Sequence, residues 1–61
     1  MSDERLGTIK DLDPRTVRAL THAGYRTRAQ VAHTEDAALL RLRWMGPRRV
    51  AQLRRVIPRV R

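Results

Sequence analysis

Met45-Gly46-Pro47-Arg48-Arg49 (MGPRR) is the stretch whose reading decides the fold. Gly then Pro marks a turn entering a helix, with Pro47 at the first helical position, where its missing N–H costs nothing. Two arginines then fall in the first helical turn. The helix macrodipole disfavours cations there, because the N-terminus already carries about half a positive charge. The same N-terminus offers free backbone N–H groups, a ready site for an anion. Glycine lets a phosphate approach the backbone, and arginine forks suit phosphate oxygens. The local rule is therefore broken where a phosphate would repair it.

Working outward, Val50, Leu53 and Ile57 form an apolar stripe at helical spacing, and Pro58 ends it, so a helix is predicted over 47–57. Upstream, Asp13-Pro14 starts another helix, with Asp13 as N-cap. Val17, Leu20 and Ala23 follow helical spacing, and Gly24 supplies the left-handed stop, giving a helix over 14–23. Thr27 caps a short helix predicted over 28–33, with Val31 and Ala32 inward. Thr34 is expected to cap the next, over 35–42, with Glu35 and Asp36 in its first turn and Leu39, Leu40 and Leu42 burying it. Ile9 and Leu12 are expected core anchors. No strand pattern competes. The expectation is an all-α chain, a compact bundle of four to five short helices. Residues 1–8 read as a flexible N-terminal segment, 9–58 as the helical domain and 59–61 as a basic tail following a nucleic-acid backbone.

The 61 residues allow one domain at most, and one this small is marginally stable. The absence of cysteine excludes disulfides and thiolate metal sites. His22 and His33 lie far from any acidic cluster and read as surface or helix-end residues, so no metal is expected. No apolar run approaches membrane-spanning length, and MSDERLG lacks a signal-sequence pattern. The expected location is cytoplasmic and nucleoid-associated. No nucleophile–base set, paired carboxylate site or nucleotide loop is present, so neither enzymatic activity nor a cofactor is expected.

Charge is distributed unevenly. The first 36 residues hold six basic and six acidic groups; residues 37–61 hold eight arginines and no acid, the whole of the net +8. GC-rich coding explains arginine over lysine but not the disappearance of acids after Asp36. A polyanionic partner is implied. Arg15, in the first turn after Asp13-Pro14, repeats the Arg48–Arg49 pattern, and Arg18 lies three residues on, on the same face. Two glycine turns, HAGYR and WMGPR, stand 22 residues apart and suggest paired helix–hairpin–helix units. Trp44, the single tryptophan, is expected in the core beside its hairpin, and Tyr25 is expected to pack rather than stack.

The span from Leu12 to Ile57 resembles the C-terminal domain of the bacterial RNA polymerase alpha subunit. LDPRTVRAL matches that family's L-S-x-R-x-x-N-x-L, with Leu12, Arg15 and Leu20 in register. LLRLRWMGPRRVAQL matches L-L-K-x-x-N-L-G-x-K-S-L-x-x-I, with Leu39, Leu40, Met45, Gly46, Arg48 and Val50 in register. The two blocks align without a gap over about three quarters of the chain. The family's D-L leucine falls on Val31, while Thr34 stands one position early for its helix-capping threonine.

The resemblance implies a compact helical domain with helix–hairpin–helix character that binds the minor groove of A/T-rich DNA. It places DNA contacts on Arg15, Arg18, Gly46, Arg48, Arg49 and Gln52. Arg18 replaces the family's asparagine, Arg49 its serine and Gln52 its glutamate, each raising positive charge and favouring backbone contact over selectivity. Trp44 replaces the asparagine before L-G. In generic helix–hairpin–helix modules of repair proteins this position is the first glycine of G-h-G, so Trp44 favours the polymerase-type variant. The polymerase assembly domain is absent from this sequence. Double-stranded DNA is thus the expected partner, in transcription regulation. A docking module for RNA polymerase or a transcription factor, and a general RNA binder, are the alternatives.

Overall fold

Asp13 opens the first helix as the sequence requires. Its carboxylate accepts the Arg15 N–H at 3.3 Å, and Pro14 takes the first helical position. In the computed structural model, which describes residues 3–60, four α-helices follow: α1 (Pro14–His22), α2 (Arg28–Ala32), α3 (Asp36–Leu40) and α4 (Pro47–Val56). A single 3-10 turn, Leu6–Thr8, precedes them. Among the described residues the only extended pairing is an isolated bridge between Arg5 and Thr27. The chain is all-α, and no helix among the described residues is long and apolar enough to cross a membrane.

Each helix end has a chemical cause. At the end of α1, Gly24 adopts φ +100°, and the Tyr25 N–H donates to the Leu20 carbonyl at 2.9 Å while the Gly24 N–H donates to Thr21 at 3.0 Å. This pair of bonds is the left-handed glycine stop. Thr27 and Gln30 form a reciprocal capping box at the start of α2. Thr34 does not cap α3 as expected. Its hydroxyl donates backwards to the Gln30 carbonyl at 2.6 Å, so it closes α2, and Glu35 becomes the N-cap of α3 without a side-chain bond. A hydroxyl in reach of a free carbonyl at a helix end takes that bond in preference to starting the next turn.

The core joins Leu20 of α1, Val31 of α2, Leu39 of α3, Leu53 of α4 and Ile57 just after it, all fully buried. Ile9 and Leu12 are buried as anchors, and the stripe of α4 faces inward as its spacing predicts. Inward assignments change on α3 and on α1. Leu40 is exposed, because α3 is only five residues long and presents Leu39 alone to the core. On α1 the inner face is Thr16, Ala19 and Leu20, leaving Val17 half-buried and Ala23 exposed.

The N-terminal segment also departs from expectation. Leu6 is fully buried, its N–H donates to the Arg26 carbonyl at 2.9 Å, and the Arg28 N–H donates to the Glu4 carbonyl at 2.8 Å. Asp3 accepts the Ala29 N–H at 3.1 Å, which supplies one of the free donors at the start of α2. Residues 3–8 are therefore a packed part of the domain; the remainder of the expected flexible segment lies outside the described residues. The basic tail is likewise held rather than free at 59 and 60. Arg59 pairs with Glu35 at 3.6 Å, and the Val60 N–H donates to the Ala32 carbonyl at 2.8 Å. Arg61 lies outside the described residues.

Two arginines, one from each half of the chain, are structural. Arg54 is the most buried of the paired arginines, with 13% of its side chain exposed. Its Nε donates to Asp36 at 2.6 Å, and its terminal nitrogens donate to the carbonyls of Val31, Thr34 and Ile57. One guanidinium thus ties the end of α2, the start of α3 and the end of α4 together. Arg28 performs the complementary service, donating to the Val56 carbonyl at 3.0 Å and pairing with Glu4.

Candidate nucleic-acid interface

The N-termini of α1 and α4 lie side by side, and Arg49 joins them. Its guanidinium donates to the Asp13 carboxylate at 2.7 Å and to the Thr16 hydroxyl at 3.3 Å. Asp13 is thus both the cap of α1 and the counter-ion of an arginine in the first turn of α4. This resolves half of the anomaly in MGPRR: Arg49 is stabilised at a positive helix end by a carboxylate borrowed from its neighbour. Thr16 is buried, and its hydroxyl is satisfied by the same arginine.

Arg48 keeps the other half. It is exposed and makes no ion pair with any described residue. The N-terminus of α4 has Gly46 as N-cap, and no side chain caps it. A Cβ built on Gly46 would meet nothing within 4 Å, so the tip opens onto free space. Gly46, Arg48, Arg49 and Gln52 line a shallow concavity there. On the neighbouring helix Arg15 and Arg18 are exposed, line a second concavity with Pro14, and have no ion-pair partner among the described residues.

The six residues expected at the site fall accordingly. Gly46, Arg48, Arg49 and Gln52 share one concavity at the tip of α4; Arg15 and Arg18 share another at the start of α1; the Arg49–Asp13 bond connects the two. Arg49 differs from the others in being engaged by Asp13 and Thr16.

Trp44 is not a core residue. It is 57% exposed, with φ +69°, in a turn closed by the Met45 N–H donating to the Leu42 carbonyl at 3.2 Å. The third position of such a turn favours glycine, and a bulky side chain there is an outlier. Met45 takes the buried place beside it. A core position for Trp44 would have needed the indole on the side that this backbone gives to Met45. The ring instead lies against His22 at the end of α1, with centroids 5.3 Å apart and planes at 58°, and the Arg43 guanidinium stands 5.9 Å from it. Tyr25 packs half-buried against the core as expected, and His22 and His33 are both exposed.

These observations carry a stability prediction. Trp44→Gly removes the strained backbone and little buried surface, so it is expected to change stability by less than about 1 kcal/mol, where truncating a core tryptophan costs about 3–5 kcal/mol. Urea unfolding followed by circular dichroism distinguishes the two.

Comparison of the chain with protein-family models, with characterised proteins and with solved structures finds no match.

Proposed function

We propose that this protein binds double-stranded DNA, gripping phosphates with the adjoining N-termini of α1 and α4. The carrying observation is the 2.7 Å bond from Arg49 to Asp13, which joins the two helix starts that carry the exposed Arg15, Arg18 and Arg48. Each of these arginines is repelled by its own helix dipole or its neighbours while empty, and each gains when an anion arrives. The uncapped tip of α4, with glycine at its entrance, suits a phosphate contacted through backbone N–H groups.

The likeness to the polymerase alpha C-terminal domain supports the same reading. The N-cap of α3 at Glu35 is the register that likeness requires. The positive φ of Trp44 falls where helix–hairpin–helix turns carry glycine. Entry of Arg15 or Arg18 into a narrow A/T-rich minor groove would add a preference by shape and potential, and a role in transcription regulation follows from that likeness.

Salt titration of binding tests the proposal, using A/T-rich duplex, G/C-rich duplex and RNA of equal length. Log K is expected to fall linearly with log salt, with a slope of about −2.7 if Arg15, Arg18 and Arg48 each neutralise one phosphate. A/T-rich duplex is expected to bind tightest. Binding to none of the three at low salt would overturn the proposal and favour a protein partner.

A further inference from the structure

Trp44 has no role in gripping phosphates, yet its placement is costly and specific. It occupies a turn position suited to glycine, keeps more than half its surface open, and is steadied by His22 and Arg43. It lies against the end of α1 and two residues before the tip of α4. On one side His22 leads to Arg18, one turn back on α1, where both line an open groove of about 580 Å³ with Val17 and Thr21. On the other side the chain runs from Trp44 through Met45 to Gly46 and Arg48 at the tip of α4.

We infer that Trp44 is a stacking platform for a single nucleobase that has left its duplex stack, so that the protein prefers DNA with an unpaired base to fully paired DNA. The inference rests on the DNA-binding reading above and extends it to the class of DNA bound. Two features point to a base. An indole offers a flat π-face that any base can use. The Arg43 guanidinium stands 5.9 Å from the ring, and residues 37–61, which carry Trp44, hold eight arginines and no acid, a charge suited to a sugar–phosphate chain. A base still inside a duplex shows only its edges to a protein, so stacking requires one that is unpaired or easily displaced.

The test uses the full chain and two labelled duplexes that differ only in one mismatched pair, with single-stranded RNA of the same sequence as a third probe. Anisotropy of the label reports binding, and the emission of the single tryptophan reports stacking. The mismatched duplex is expected to bind about tenfold more tightly than the paired one and to quench Trp44 emission more strongly. In Trp44→Gly, with its fold checked by circular dichroism, the ratio of the two affinities is expected to fall to about one. Equal binding of both duplexes with unchanged emission overturns the stacking role while leaving the phosphate grip intact. Failure of either duplex to raise anisotropy at low salt removes the DNA-binding reading itself. Tighter binding and stronger quenching by the RNA overturns the assignment to DNA.

Discussion

Arg54→Leu is expected to destabilise the domain by about 2–4 kcal/mol, enough to leave much of it unfolded at ambient temperature. A chain of this size rarely holds more than about 3–5 kcal/mol in its core. The loss arises from the acceptors more than from the ion pair. Asp36 is half-exposed and regains water when its partner goes. The carbonyls of Val31, Thr34 and Ile57, at the ends of α2 and α4 and in the connection to α3, lose a charged donor in a part-buried site. Helix ends always leave carbonyls without intrahelical partners, and α2 and α3, at five residues each, are nearly all ends. Arg54→Lys separates charge from geometry. Lysine keeps the charge but cannot spread donors over a planar fork, so at least half of the destabilisation is expected to remain. Thermal melts followed by circular dichroism decide the matter. An unchanged midpoint in Arg54→Leu would show that the clamp is dispensable.

The second large effect is on binding. Replacing Arg15 and Arg48 together by alanine is expected to reduce affinity for duplex DNA about a hundredfold at low salt and to flatten the salt slope by about 1.8. Each contributes one phosphate contact from a different helix, so the two losses are expected to add. Both side chains are exposed and unpaired among the described residues, so folding is expected to be unaffected. Replacing Lys10 and Arg26 together by alanine removes an equal charge at exposed positions outside the proposed site and serves as the control. A double variant that binds like this control would dissolve the site into general electrostatic attraction.

Much of the helical plan was legible because its signals are local. Asp13-Pro14, the glycine stop at Gly24, Thr27, and Gly46-Pro47 each act within a few residues, and α1, α2 and α4 begin or end where they stand. The inward stripe of Val50, Leu53 and Ile57 is equally local. What escaped was set by contacts between distant parts of the chain. Arg54 reaches back 18 to 23 residues to Asp36, Thr34 and Val31. In sequence it is one more arginine in a basic run. The pairing of Asp13 with Arg49, 36 residues apart, has no sequence signal either, although the presence of two cations at a helix start was a hint that something nearby must be negative. Trp44 was misplaced for a different reason. Its size argues for burial, and only the backbone of its turn, handing the inward position to Met45, argues against it.

The Asp13 carboxylate makes Arg49 a cation already under contract. A phosphate that reaches the tip of α4 meets a guanidinium whose charge the Asp13 carboxylate already balances, and because that carboxylate stays beside it, few of the cations condensed on the nucleic acid are freed there. Arg49 therefore leaves little mark on the ionic-strength dependence of complex formation, whatever it adds to the complex itself. Counting arginines on this face would overestimate the number of counterions set free, and the excess would be the measure of how far the protein carries its own substitute for the nucleic acid.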